Sequence, residues 1–284
     1  MHFHFPFTAV EILWTLTFAA QLVLLVVLMG RDRIHRFRWF TASIAVLALR
    51  LLVGKVLADR VDRMMLGSIL IPLADISVIV GFGVLIELAL KAFRGTKRNM
   101  WLIATVVMLA IGGVALRYWG IWPQWSELTG NSHLTVLLIM QLSAQKGEVL
   151  LDFLAIELCL LILLFAAPAF AGWRTHVRRI VIGLAVAGLG QLGAEGALIY
   201  MSKHFVPKSR QEYEHLLDTA THITQANSIL YVVVLVWWIA CLWLDEPGPA
   251  HGEEGADPAP VMAPVGSAPL LEDSAEAHPE PEDE

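Results

Sequence analysis

The 284 residues are 57% hydrophobic and 16% charged, with a mean hydropathy of +0.63, whereas soluble domains carry about 25% charged residues. That balance excludes a water-soluble globule of this length as well as a wholly disordered or collagen-like chain, and the two cysteines, in no C-x-x-C spacing, exclude a disulfide framework. The net charge of −6 is divided sharply, because residues 245–284 hold twelve acidic residues and no Lys or Arg, leaving +6 on the body before them.

Apolar stretches near 7–29, 39–57, 66–90, 100–119, 149–170, 180–201 and 223–244 are each long enough to cross a hydrocarbon core of about 30 Å as a helix. Lipid offers the backbone no hydrogen-bond partners, so each must satisfy its own as a helix. The expected fold is all-α, a polytopic bundle of seven transmembrane helices over residues 1–244. Eleven basic residues follow the first, third and fifth stretches: Arg31, Arg33, Arg36 and Arg38, then Lys91, Arg94, Lys97 and Arg98, then Arg174, Arg178 and Arg179. Six fall in the opposite connections, Arg60, Arg63, Lys146, Lys203, Lys208 and Arg210. The positive-inside rule then puts the N-terminus outside and the C-terminus in the cytoplasm of a plasma membrane, the inner membrane if the source is bacterial.

The first stretch is an uncleaved helix rather than a signal peptide, since its basic residues follow the apolar run and none precede it. His2, Phe3, His4, Phe5 and Phe7 belong at the outer interface, where aromatic rings are favoured. Glu11 falls about 6 Å below the outer end of this span, Arg50 of the second about 11 Å and Asp75 of the third about 13 Å. The second and third spans are neighbours joined by a short turn, which predicts an Arg50–Asp75 ion pair, either a static clamp or a gate; Arg50 snorkelling outward is the alternative. Glu87 near the inner end has Lys91 at i+4 to pair with.

After the fourth stretch the outer connection 120–148 carries Trp122 and Trp125, then an apolar segment at 134–142 too short to span. It is either an interfacial helix or an early extension of the fifth. Glu148 and Asp152, at the outer mouth beside Lys146, read as solvated. Glu157 in the fifth span falls at about 12 Å depth, Gln191 and Glu195 on one face of the sixth at about 15 and 9 Å, and Asn227 of the seventh at about 6 Å. Small residues around Gln191 and Glu195, Gly188, Gly190, Gly193, Ala194 and Gly196, allow close helix packing or leave room for a ligand. The tail from Asp245 also holds eight of the thirteen prolines, the composition of a disordered segment, idle or latched onto the basic loops.

Ionisable groups therefore gather in the outer half, where facing lipid costs several kcal/mol. This predicts a polar, net-acidic pocket opening outward among the first, second, third, fifth, sixth and seventh spans, with Glu11, Arg50, Asp75, Glu157, Gln191, Glu195 and Asn227 as ligand-binding residues. Such carboxyls serve as proton carriers, as ligands for cations or amines, or as interhelical hydrogen-bond donors. The expected partners are the bilayer, a small cationic or polar ligand from outside and a cytoplasmic protein at the basic loops, with no nucleic acid.

No histidine lies inside a span, which argues against haem ligation there, and the last span has no lysine for a retinal Schiff base. H-E-x-x-H, P-loop and G-x-S-x-G motifs are absent, so no catalytic activity, cofactor or metal is expected. Offsetting the chain by 141 pairs Arg33 with Arg174 and Arg50 with Gln191, but arginine-rich loops match easily by chance. Binding or sensing is the leading expectation; a proton- or cation-coupled carrier and an accessory or scaffold subunit are the alternatives.

Overall fold

A computed structural model describes residues 8–58, 60–93, 98–120, 122–123, 133–165, 176–205, 207 and 209–244. They form seven helices and no strand: α1 Ala9–Gly30, α2 Arg38–Ala58, α3 Arg63–Ala92, α4 Arg98–Tyr118, α5 His133–Phe165, α6 His176–His204 and α7 Arg210–Trp243. The N-terminal His and Phe alternation, Trp125, Arg94, Lys97, Arg174 and the acidic tail from Asp245 lie outside the described residues.

α1, α2, α3, α6 and α7 are long and apolar enough to cross a membrane. Thr105–Tyr118 of α4 is a shorter apolar helical stretch among the described residues, and Lys146, Glu148, Asp152 and Glu157 interrupt the apolar run of α5. Large apolar side chains face outward along the helices, with Val26, Ile79, Val106 and Leu164 all at least 65% exposed. In water so continuous an apolar exterior would drive aggregation; against acyl chains it costs nothing.

Local chemistry sets several helix ends. Thr8 caps α1: its hydroxyl accepts the Glu11 N–H at 3.3 Å, and the Glu11 carboxylate accepts the Thr8 N–H at 3.2 Å, a reciprocal capping box. Ser209 caps α7 by accepting the Glu212 N–H at 3.2 Å. That cap starts α7 thirteen residues before the apolar stretch that begins at 223, so the helix has a polar first third with Tyr213, Glu214, His215 and Asp218 exposed. α5 runs unbroken from His133, so residues 134–142 are the start of that helix and not a separate one.

Glu87 of α3 does for α2 what a capping side chain does for its own helix. Its carboxylate accepts the backbone N–H groups of Arg38, Trp39 and Phe40 at 3.0, 3.1 and 3.3 Å. These are donors that a helix start leaves without a partner. Lys91 pairs with Glu87 at 2.8 Å and also bonds the Arg36 carbonyl, tying the 31–37 turn to α3.

Six helices close a ring in the order α1, α2, α3, α5, α6, α7 and back to α1, with α4 packed outside it on α5. At the end bearing Arg38, Lys91 and Arg179 the ring is filled. Leu24 and Leu28 of α1, Phe40 of α2, Leu88 of α3, Leu158 of α5, Ile180 of α6, and Leu235 and Trp238 of α7 are all at most 2% exposed and form one core. Trp238 stands edge-on to Phe40 at 5.2 Å and donates its indole N–H to the Ile180 carbonyl at 3.3 Å. Because lipid is as apolar as leucine, this layer holds through packing density rather than release of water. Arg33 of the 31–37 turn is buried beneath it, bonding the His176 imidazole and the Leu244 carbonyl, the latter at 2.9 Å.

Candidate functional site

Above the Trp238 layer the ring stops being filled. A cavity of about 940 Å³ lies between all six of its helices, floored by Trp238, Phe40, Ile44 and Val84. Its walls change character with height. Near the floor they are Leu, Val and Ala with Ser43 of α2 among them; at mid-height Gln21 of α1 and Tyr231 of α7 line the wall; toward the other end stand Arg50, Glu148, Asp152, Gln191 and Asn227.

Close helix approach builds the polar end. Gly188 of α6 lies against the α5 backbone, where a Cβ would sit 3.2 Å from both the Cα and the carbonyl oxygen of Asp152. One face of α6 then presents Gln191, whose side-chain oxygen accepts the Asn227 amide N–H at 2.6 Å. Arg50 Nη1 lies 2.6 Å from Glu148 Oε1, a charge-assisted bond across the ring. Among the described residues Arg50, Glu148 and Asp152 are the charged groups on this wall. With Arg50 taken by Glu148, Asp152 is the carboxyl group of this wall left without a basic partner in the cavity. A smaller cavity of about 270 Å³ adjoins, sharing Glu148, Asp152, Gln191 and Asn227 and adding Glu195.

Gln21 is 1% exposed, and its amide N–H donates to the Tyr231 hydroxyl at 3.3 Å. Its oxygen, also buried, has no hydrogen-bond partner among the described residues. Leaving a buried acceptor unpaired costs about 1–3 kcal/mol, so this atom calls for a donor from whatever fills the cavity.

The expected site residues separate into three groups. Arg50, Gln191 and Asn227 line the large cavity, and Glu195 lines the small one, where it accepts the Trp119 indole N–H at 3.2 Å. Glu11, Asp75 and Glu157 line neither. Glu11 is occupied by its helix cap and lies 3.7 Å from Lys55. Asp75 accepts the Ser143 hydroxyl at 2.7 Å, which replaces the expected Arg50–Asp75 pair, because α3 turns that carboxylate toward α5 and leaves Arg50 facing Glu148. Glu157 points to the α4–α5 contact, near Gly112. Glu11, Glu157 and Glu195 thus do not converge.

Glu148 and Asp152, expected to be solvated, instead supply the carboxylates of the cavity. Lys146, their neighbour in sequence, is itself buried, donates to the Trp119 carbonyl at 2.7 Å and lies 4.8 Å from the Trp122 ring. Gln21 was signalled by standing as a lone amide in the apolar run of α1. Comparison with known protein families, with curated proteins and with solved structures finds no match to this chain.

Proposed function

We propose that this chain is a multi-pass binding or sensing protein of the plasma membrane, or the inner membrane of a bacterium, and that the cavity is its ligand site. The supporting observation is the one-ended cavity, floored by a packed layer at Trp238 and crowned by Arg50, Glu148, Asp152, Gln191 and Asn227. A volume of about 940 Å³ is within the range of small-molecule sites. All seven helices cross the bilayer with the N-terminus outside, as the excess of basic residues after the first, third and fifth stretches favours. The cavity then opens outward, and occupancy reaches the cytoplasm through a partner at the basic loops. The packed layer favours binding over carriage, because a carrier needs a path on both sides of its site.

Native mass spectrometry of the full chain ejected from membrane vesicles tests this reading. The wild-type protein is expected to carry a noncovalent small molecule that the Ala187→Phe variant, with its cavity filled, lacks. A bare wild-type mass, or an identical adduct on both proteins, would refute the ligand site. Flux of a solute through proteoliposomes at a rate that Ala187→Phe abolishes would replace binding by carriage.

A further inference from the structure

The shape and wall chemistry of this cavity narrow its ligand, an inference that rests on the cavity being a ligand site. Along α7 the lining runs from Leu217 to Trp238, about 32 Å at the helical rise. Spread over that length, about 940 Å³ makes a channel about 6 Å wide. That width takes one extended hydrocarbon chain, and a compact polar solute would leave the lower half empty. Below Gln21 and Tyr231 the wall is apolar down to Trp238 apart from Ser43, so chain carbons belong there.

The upper end decides the head group. A carboxylate or phosphate head would meet Glu148 and Asp152 and could reach Arg50 only by displacing Glu148 from its 2.6 Å bond. A head bearing N–H donors and positive charge faces Asp152 and the carbonyl oxygens of Gln191 and Asn227 without breaking that pair. One turn of α7 below Asn227, about 6 Å along the axis, the buried Gln21 oxygen lacks a donor. We infer that the site takes one single-chain amphiphile with a primary ammonium head held by Asp152, a hydroxyl or N–H partway down for Gln21, and a tail ending over Trp238.

The test uses the full-length protein in phosphatidylcholine nanodiscs and 12-bromododecylamine, whose terminal bromine quenches indole emission on contact. Saturable quenching is expected in the wild type and not in Trp238→Phe, which reports background from the other tryptophans. Asp152→Asn should weaken binding about 10- to 100-fold, the value of a hydrogen bond to a charged group. Circular dichroism and gel filtration establish that the variant is folded, with Asp152→Ser in reserve. A 5-hydroxy analogue, its oxygen about 6 Å from the nitrogen and so one helical turn lower, should bind more tightly than the plain amine, and Gln21→Leu should abolish the difference.

Equal affinity for 12-bromododecanoate or 1-bromododecane, or unchanged affinity in folded Asp152→Asn, would overturn the ammonium assignment while leaving a ligand site in place. Absence of saturable quenching by all three probes would remove the ligand site as well. Replacing the nanodisc lipid with phosphatidylethanolamine, which carries two chains and a phosphate beside its ammonium, checks the chain count. An undisturbed isotherm is expected, and competition with the probe would overturn the single-chain assignment.

Discussion

At Gly183 the floor of the cavity depends on a missing atom. A Cβ there would fall 2.2 Å from Trp238 Nε1, an impossible approach, and Trp238 is locked between Phe40 and the Ile180 carbonyl. Gly183→Ala must therefore push the indole off its bond or part α6 from α7, at a cost of about 1–3 kcal/mol for overpacking. Thermal unfolding in detergent should show a lower midpoint; an unchanged one would mean that the two helices are not this close. Arg50 and Glu148 present a different balance. Their side chains are 36% and 41% exposed, so the pair itself is worth about 1 kcal/mol or less. Removing either partner leaves the other unpaired in the cavity wall, whereas removing both leaves no unpaired charge. A double-mutant cycle with Arg50→Leu and Glu148→Leu should therefore find the double variant more stable than the sum of the singles predicts. Simple additivity would mean that water in the cavity already screens the pair.

Among the elements, α2 depends most on a residue outside itself. Three N–H groups of its first turn are satisfied by Glu87 of α3, and Glu87→Leu leaves them without a partner. The expected loss is about 1–3 kcal/mol, with faster amide hydrogen exchange confined to residues 38–42. Glu87→Gln keeps an acceptor oxygen and should lie between; equal protection in all three proteins would show that water caps the turn. The sequence pointed to the Glu87–Lys91 pair, because i,i+4 spacing is local, but not to this cap, which spans 49 residues and becomes visible only when α2 meets α3. The same division explains the helix ends. Hydropathy located the apolar run from 223, yet α7 begins at Arg210 because Ser209 and Glu212 form a local cap; lipid contact and helix formation are separate conditions. Depth counting brought Arg50 level with Asp75, but depth carries no azimuth, and the turn of α3 about its own axis decided the partner. The T-x-x-E signature at Thr8 would have assigned Glu11 to a cap from sequence alone.

Across the whole molecule, packing is graded along the bundle axis: dense near Trp238, hollow toward Arg50 and Asp152. The all-α class was legible because apolar run lengths report on lipid. The cavity's carboxylates were not, because Glu148 and Asp152 beside Lys146 in sequence look like an ordinary solvated face, and nothing local reveals that Lys146 turns to the Trp119 carbonyl. This gradient predicts unequal responses to the same chemical change. Leu235→Ala in the filled layer, where the side chain is 0% exposed, opens a void with no room to relax. In lipid the transfer part of the usual cost largely vanishes and the packing part stays, so about 2 kcal/mol is expected, the low end of the soluble range. Leu47→Ala on the cavity wall merely enlarges a space that already exists and should cost under about 1 kcal/mol, since few contacts are forfeited. Unfolding by a denaturing detergent, titrated against a mild one, measures both. Filling the cavity narrows the gap: a bound single-chain amphiphile adds contacts at Leu47, so its saturating presence should enlarge the Leu47→Ala penalty and leave that of Leu235→Ala unchanged. Equal penalties for the two variants without ligand would mean that the hollow end is packed as tightly as the floor, and the separation between a stabilising layer and a binding layer would not hold.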